Sequence, residues 1–232
     1  KLSSMKLKTW IYIILTTFLG TACNNHIMES KSFTYLALGD SYTIGESVSV
    51  QERYPVKLSD SLEKSGINIS GLKIIARTGW TTDELSLGID KDTTLEEYDI
   101  VTLLIGVNNQ YRGRDIENYR TEFNHLLKRA VEFAGNEKQK VIVISIPDWG
   151  VAPFAAGRDT AQIAREIDNF NAVNYEESKK AGVHYIDITP ISRQAKNDST
   201  LIAADGLHPS GKMYALWVKE IYPIASSILK NN

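Results

Sequence analysis

Five short apolar runs alternate along this chain with longer segments in which apolar residues recur every three or four positions. Most of the short runs are rich in β-branched residues, and they cover residues 35–38, 72–76, 100–105, 141–146 and 183–186. Continuous apolar runs of this kind are typical of strands that are buried on both faces of a parallel sheet. The longer segments have the period of amphipathic helices and cover residues 54–64, 116–134, 160–180 and 212–229. The pattern predicts a three-layer α/β domain around a parallel sheet of about five strands.

Two prolines and one long loop add local predictions to this pattern. Pro223 lies inside the last helical segment and predicts that the helix is kinked or divided there. Pro209 precedes the same segment and suits the first turn of a helix. Residues 147–159 form a long irregular stretch, and loops of this kind often carry binding residues.

The overall charge gives no support for nucleic-acid binding. The chain has 232 residues, with 26 Lys and Arg against 28 Asp and Glu, and no basic run stands out. A nucleic-acid partner is therefore not expected. The length fits one domain, which we expect over residues 33–230.

The first residues differ from the rest in composition. Lys6 and Lys8 precede an apolar run at residues 10–19, and the small residues 20–22 follow it. A charged start, a short apolar run and a small-residue exit are the pattern of an export signal, and the run is short for a membrane-spanning helix. We expect residues 5–22, beginning at Met5, to be a signal peptide.

Cys23 is the only cysteine, so no disulfide can form within the chain. Residues 19–23 resemble the lipobox of bacterial lipoproteins, although Gly20 stands where that motif prefers a large aliphatic residue. The resemblance implies that Cys23 is lipidated and attaches the exported protein to a membrane, in the periplasm or at the cell surface. The alternative is an ordinary cleaved signal with an incidental cysteine, which gives a secreted or periplasmic protein.

A candidate nucleophile follows the first predicted strand. Ser41 comes directly after Gly39 and Asp40, where ligands bind beyond the carboxyl end of a strand in an open α/β sheet. A glycine allows the tight turn that would direct a serine hydroxyl into the crevice. The alternative is a polar turn in which Asp40 or Ser41 only caps a helix.

A candidate base lies near the other end of the chain. Asp205 precedes His208 by three residues, just before the last predicted helix. A serine hydroxyl needs a base to accept its proton, and a neighbouring carboxylate can orient an imidazole for that purpose. A surface histidine beside a helix cap would show the same local sequence.

Four blocks of residues, taken together, resemble those of the SGNH (GDSL) serine hydrolases. They are Gly39-Asp40-Ser41 with Gly45, then Gly79, then Gly106 with Asn108, and finally Asp205 with His208. The blocks occur in the family's order across nearly the whole expected domain, so together they are specific. One departure is Asn109, since the family commonly has an aspartate at that position.

The resemblance implies a flavodoxin-like sandwich that hydrolyses carboxylic esters without a metal or an organic cofactor. It implies that Ser41 is the nucleophile, His208 the base and Asp205 its orienting carboxylate. It also implies an oxyanion hole formed by Ser41, Gly79 and Asn108. A lipid ester (as in lysophospholipases), a sugar acetate of a glycan and an aryl ester all remain open as substrates.

Further residues are expected around the same crevice. Thr81 and Glu84 have the spacing of a capping box and predict a helix that starts directly after Trp80. We expect the rim of the site to be formed by Tyr42, Trp80, Tyr111, Arg112, Trp149 and Phe154.

Three other classes of protein are alternatives, and the sequence lacks or does not require their features. A metal-dependent phosphoesterase could use Asp40, Asp205 and His208, but the sequence lacks a clustered ligand motif such as His-x-His. A nucleotide-binding module lacks both the Gly-x-Gly-x-x-Gly and the phosphate-loop lysine motifs. A non-catalytic surface-binding protein on the same fold would not need every catalytic position filled.

Overall fold

A single parallel sheet forms the centre of the computed structural model, which describes residues 31–231. Its strands are β1 (Ser32–Gly39), β2 (Asn68–Ala76), β3 (Ile100–Leu104), β4 (Val141–Ile144) and β5 (His184–Ile186). The strand order is β2-β1-β3-β4-β5, and every neighbouring pair is parallel. The predicted α/β class and the five-stranded parallel sheet are thus confirmed.

Helices flank the sheet. They are α1 (Ser41–Ile44), α2 (Tyr54–Lys64), α3 (Thr82–Asp90), α4 (Val107–Tyr111), α5 (Ile116–Phe133), α6 (Thr160–Ala181), α7 (Thr189–Arg193) and α8 (Gly211–Lys230). α2 packs against α8, while α5 packs against both α3 and α6, which gives the outer two of three layers. Among residues 31–231, no helix has the length and apolar character needed to cross a membrane.

The burial of the strands explains why their sequences are continuously apolar. Every residue of β3 and β4 is buried, because both strands lie inside the sheet and are covered on both faces. The edge strands β2 and β5 are partly exposed. Burying a large aliphatic side chain contributes about 1.5–3 kcal/mol, so the inner strands supply much of the stability of the core.

The start of α8 corrects one prediction. Ser210 caps this helix, and its hydroxyl accepts a hydrogen bond from the Met213 N–H. Pro209 therefore lies before the cap and outside the first turn, where it forms an isolated antiparallel bridge with Ile202. The prediction that Pro209 occupies the first turn is wrong, because the serine hydroxyl supplies the cap.

α8 is not divided at Pro223. The helix runs from Gly211 to Lys230 with this proline inside it. Pro223 is exposed, whereas Trp217, Ile221 and Leu229 are buried on the face that packs on the sheet. Packing of that apolar face offsets the backbone hydrogen bond that the proline removes.

The strand order positions the candidate site. The chain passes from β1 to β2 on one side and then crosses to β3 on the other side of β1. Such a reversal leaves a crevice at the carboxyl ends of the two inner strands. Ser41 follows β1 and Asn108 follows β3, so the sheet brings two predicted site residues to one edge.

The expected signal peptide at residues 5–22 and the expected lipidation site at Cys23 both lie outside the described residues. Their assignment therefore remains a prediction from the sequence.

Candidate active site

Ser41 is the first residue of α1, directly beyond the end of β1. At Gly39, a Cβ atom would lie 2.1 Å from Thr43 Oγ1 and 2.4 Å from the Leu104 carbonyl oxygen. Only glycine fits this turn, because any side chain would collide with the first turn of α1 and with β3. The close packing brings Ser41 into the crevice, where Ser41 is 5% exposed.

Asp40 is a helix cap, as the structural alternative for this segment suggested. Its Oδ1 accepts a hydrogen bond from the Tyr42 N–H at 3.0 Å. The residue is fully buried, and Oδ2 has no hydrogen-bond partner among the described residues. Burial raises the pKa of Asp40 to about 7, because a low-dielectric interior disfavours the charged form. Asp40 thus caps α1 while Ser41 faces the crevice.

His208 and Asp205 are in direct contact. Nδ1 of His208 lies 2.5 Å from Oδ2 of Asp205, so the carboxylate engages one of the two ring nitrogens and leaves the other, Nε2, available. The His208 ring packs edge-on against Tyr42 with 5.6 Å between centroids. Tyr214, from α8, donates its hydroxyl hydrogen to the Tyr42 carbonyl oxygen at 2.9 Å. Packing and hydrogen bonding thus restrict the orientation of the imidazole.

The Asp205 carboxylate is held by several donors. Its Oδ1 accepts from the N–H groups of Leu207 and His208, each at 3.0 Å, and Oδ2 accepts from the Ser47 hydroxyl at 2.7 Å. Partial burial acts to raise the pKa of Asp205, but the hydrogen bonds from His208, Leu207 and Ser47 outweigh it and hold the pKa below its usual range. Asp205 is therefore a carboxylate at neutral pH. Ser47 carried no signal in the sequence, since it lies in an unremarkable polar loop.

Gly79 adopts a left-handed conformation with φ of +83° at the turn after β2. Arg112 donates from Nη2 to the Gly79 carbonyl oxygen at 2.6 Å and from Nη1 to Glu84 at 3.2 Å. The predicted capping box between Thr81 and Glu84 is confirmed, and α3 starts at Thr82. Arg112 and the capping box together fix the peptide that carries Gly79.

Asn108 and Asn109 have different partners at the start of α4. Asn108 donates from Nδ2 to the Trp80 carbonyl oxygen at 2.9 Å, which uses one of its two amide hydrogens. Asn109 is fully buried and bonds Thr82 twice: Oδ1 accepts from the N–H at 3.1 Å, and Nδ2 donates to the hydroxyl at 2.7 Å. At Asn109, where the family commonly has an aspartate, the side-chain amide thus forms two hydrogen bonds with the first residue of α3, one as acceptor and one as donor.

A pocket of about 180 Å³ joins these residues. Its lining consists of Ser41, Tyr42, Thr78, Gly79, Val107, Asn108, Tyr111, Trp149, Phe154, Leu207 and His208. Four of the five predicted site residues thus share one pocket, and Asp205 contacts it through His208. Within residues 31–231, no hydrogen bond joins the Ser41 hydroxyl to His208; such bonds often tighten only when substrate is bound.

The predicted rim is correct in part. Tyr42, Tyr111, Trp149 and Phe154 line the pocket, but Trp80 and Arg112 do not. The Trp80 ring packs over Gly88 of α3, where it leaves no space for a Cβ atom, and the Arg112 guanidinium is bonded to Gly79.

The position of Trp149 depends on a residue that sequence reasoning missed. Its Nε1 donates to Gln110 Oε1 at 2.8 Å, and Gln110 Nε2 donates to Glu166 at 2.7 Å. Gln110 follows the predicted block at Gly106 and Asn108, but its partner Glu166 lies on α6. Because these residues are far apart along the chain, no sequence motif indicates their hydrogen bonds.

The metal alternative lacks a ligand cluster. In the part of the chain that the structure describes, no group of three or more His, Cys, Asp and Glu side chains is placed to hold a metal ion. Asp40, Asp205 and His208 therefore do not form the site that a metal-dependent phosphoesterase would need.

The fold is that of the SGNH class of hydrolases. Residues 37–216 match the model of the GDSL-like Lipase/Acylhydrolase family, and the chain belongs to that family. Membership supports an enzyme that acts on esters. A sequence search of curated proteins gives no match.

Solved structures of esterases and lipases have the same fold. The psychrotrophic esterase EstA from Pseudoalteromonas sp. is 20% identical with a TM-score of 0.65, over 86% of this chain and 100% of that one. A variant of Axe2, an acetyl-xylooligosaccharide esterase from Geobacillus, is 17% identical with a TM-score of 0.65, over 85% and 96%. Phospholipase A1 from Streptomyces albidoflavus is 17% identical with a TM-score of 0.64, over 85% and 99%.

Proposed function

We propose that this protein is a serine hydrolase of carboxylic esters, with Ser41 as nucleophile, His208 as base and Asp205 as the orienting carboxylate. The observation that carries the proposal is that Ser41, Gly79, Asn108 and His208 line one pocket. The contact between Asp205 and Nδ1 of His208 adds the orienting group of a triad.

In the proposed reaction, His208 Nε2 accepts the hydroxyl proton of Ser41 while Ser41 Oγ attacks the ester carbonyl carbon. His208 then returns the proton to the leaving alcohol, and an acyl-enzyme remains. A water molecule, deprotonated by His208, hydrolyses the acyl-enzyme and regenerates the Ser41 hydroxyl. Asp205 keeps the proton on Nδ1 throughout, because it accepts from that nitrogen.

The negative charge on the attacked oxygen needs preorganised donors. We assign this role to the backbone N–H groups of Ser41 and Gly79 and to the Asn108 side-chain amide. The bond from Asn108 to the Trp80 carbonyl fixes the plane of the amide. The second hydrogen on Nδ2 is then available to the substrate, with no reorientation needed during the reaction.

The size of the pocket favours a short acyl group. Its volume of about 180 Å³ is below the ~300–1,000 Å³ of typical ligand pockets. We infer that an acetyl or similarly short acyl chain enters the pocket and that the alcohol part of the ester lies against the exposed rings at the rim. The acetyl esterase among the structural neighbours agrees with this preference.

A fluorophosphonate probe tests the proposal. It should label Ser41, and Ser41→Ala should abolish both labelling and the hydrolysis of p-nitrophenyl acetate. Ser199→Ala, at an exposed serine away from the pocket, is the matched control and should retain both. Labelling of another serine, or turnover by a folded Ser41→Ala protein, would refute the assignment.

A further inference from the structure

Three aromatic rings form a cluster on one wall of the pocket. Tyr111 and Trp149 have centroids 5.4 Å apart, and Phe154 lies 6.0 Å from Trp149 and 6.3 Å from Tyr111. Trp149 is buried, whereas Tyr111 and Phe154 are 47% and 42% exposed. Exposed rings that cluster beside a pocket mark a place where a ligand can pack. We call these three residues the aromatic platform.

The guanidinium of Arg158 lies on this platform. Its Cζ atom is 5.3 Å from the ring centroid of Tyr111, 5.3 Å from that of Trp149 and 5.2 Å from that of Phe154. A cation within about 6 Å of an aromatic face is attracted by the ring, and three rings act here on one group. Arg158 also donates from Nη2 to the Tyr111 hydroxyl at 3.3 Å. The charged group is therefore held in one place although the residue is exposed.

No carboxylate neutralises Arg158 within residues 31–231. Other arginines near the site have such partners: Arg112 pairs with Glu84, Arg114 with Asp83, and Arg193 with Asp148. The two carboxylates closest to Arg158 along the chain have partners of their own. Asp159 accepts from the Gln162 N–H, and Glu166 accepts from the Gln110 and Gln162 side chains.

A guanidinium has five N–H donors, and Arg158 uses one of them on Tyr111. A fixed, unpaired guanidinium with free donors matches the geometry of a carboxylate or phosphate, which it can bind through two parallel hydrogen bonds. Because stacking already orders the side chain, little rotational freedom is lost on binding.

The loop that carries Trp149, Phe154 and Arg158 is tied to the loop that carries the proposed base. The Phe154 N–H donates to the Gly206 carbonyl oxygen at 2.9 Å, between Asp205 and His208. Arg158 itself is not among the residues that line the pocket. It would therefore meet the part of a substrate that projects out of the pocket while the acyl group occupies the interior.

We propose that Arg158, held on the aromatic platform, is a subsite for an anionic oxygen group, either a carboxylate or a phosphate, on the alcohol part of the ester. This inference rests on the proposed esterase function and gives it a substrate class. A cationic alcohol would be repelled by Arg158 or would have to displace it. A neutral sugar would use the exposed rings and gain nothing from the charge.

Four aryl acetates that differ only at the para position test the subsite. They carry a carboxylate, a phosphate, a neutral carboxamide and a trimethylammonium group. Each kcat/KM is divided by the rate constant for hydroxide-catalysed hydrolysis of the same ester, because the para group also changes the leaving group. In this corrected kcat/KM, we expect the carboxylate or phosphate ester to exceed the carboxamide by about five- to ten-fold at low salt, and the ratio to fall as salt is added. Whichever of the two anions gives the larger ratio identifies the group that the subsite takes.

Arg158→Gln should bring the ratio of anionic to neutral ester close to one, because it keeps a polar side chain and removes the charge. Arg158→Lys should give an intermediate ratio, since it keeps the charge and loses the planar fork. Arg165→Gln is the matched control, because it removes one exposed positive charge from α6 and should keep the wild-type ratio. An unchanged ratio in Arg158→Gln, an equal loss in the Arg165 control, or a preference for the trimethylammonium ester overturns the proposal.

Ligand binding to the Ser41→Ala variant tests the subsite independently of the proposed esterase activity. Calorimetry should show that 4-hydroxybenzoate binds more tightly than 4-hydroxybenzamide, and that adding Arg158→Gln removes the difference. If no ester is hydrolysed by the wild type but this difference is present, the subsite is supported and the esterase function is refuted. If esters are hydrolysed and the difference is absent, the subsite alone is refuted.

Discussion

The hydroxyl of Ser47 donates a hydrogen bond to Oδ2 of Asp205 over 2.7 Å. The same oxygen contacts Nδ1 of His208, so two donors share it. Ser47 has a φ of +62°, in the left-handed region that costs a residue other than glycine about 1–3 kcal/mol. We infer that the strained backbone is retained because it brings this hydroxyl to the carboxylate.

Substituting Ser47 separates the hydroxyl from the backbone strain. Both Ser47→Gly and Ser47→Ala should lower kcat about five-fold with little change in KM, because each loses the donor to Asp205.

The two variants should differ in stability. Urea unfolding should show that Ser47→Gly is more stable than Ser47→Ala, because only glycine adopts the left-handed conformation without strain. A Ser47→Gly enzyme with wild-type kcat would show that the hydroxyl is not needed.

Asn108 and Asn109 offer a matched pair for testing the oxyanion donor. Asn108→Ala should lower kcat by about 10²–10³ with little change in KM, as expected for the loss of one such donor. Asn109→Ala should instead lower the free energy of unfolding, because it leaves the Thr82 N–H without its buried acceptor, and should keep kcat close to wild type. A well-folded Asn108→Ala protein with near-normal kcat contradicts the proposed role.

Asp40 should make stability depend on pH. Its folded pKa of about 7 lies above the ordinary value of 3.8, so the folded protein binds this proton more tightly than the unfolded chain does. The contribution of Asp40 to the free energy of unfolding is therefore fully present below about pH 4 and is lost as the pH rises through about 7. Asp40→Asn keeps the acceptor for the Tyr42 N–H and cannot ionise.

The stability of Asp40→Asn relative to wild type should consequently increase between about pH 5 and about pH 8, by up to about 3 kcal/mol. Urea unfolding at the two pH values measures the change. Asp198→Asn is the control: Asp198 is bonded to Lys212 and Thr200, which lower its pKa to about 2, so its effect should not vary in this range. Parallel pH dependences in wild type and Asp40→Asn would exclude a raised pKa.

Ester hydrolysis should survive the removal of metal ions. The proposed nucleophile is a serine hydroxyl with His208 as its base, so no metal-bound water is required. Exhaustive treatment with EDTA should leave kcat/KM for p-nitrophenyl acetate unchanged, and added zinc, magnesium or manganese should not raise it. Loss of activity with the chelator and recovery with one metal would favour the phosphoesterase alternative instead.

We propose from the sequence that Cys23 is lipidated after cleavage of residues 5–22, and that the enzyme acts at a bacterial membrane surface. Intact-mass analysis of protein purified from the membranes of a bacterial host should show a diacylglyceryl group on Cys23. Cys23→Ser should release the protein from the membrane fraction. A free thiol on a soluble, signal-cleaved product would contradict the proposal.

The sequence predicted the features of this protein that depend on neighbours along the chain. The apolar runs gave the five strands, and the three-residue spacing of Asp205 and His208 anticipated their contact. The capping box at Thr81 and Glu84 was correct for the same reason, since all its atoms belong to one turn. At the start of α8, the sequence predicted Pro209 in the first turn, but the Ser210 hydroxyl forms the cap and Pro209 lies before it.

Only the tertiary structure decided which distant loops meet. Ser47 reaches Asp205 from a loop 158 positions away, and Arg158 lies over rings contributed by α4 and by the loop after β4. Trp80 and Arg112 were expected at the rim and instead contact α3 and Gly79. Such contacts depend on the order of the strands and on how side chains from separate elements fill the space between them. A periodic pattern records which face of an element is buried, but it does not record which other element covers that face.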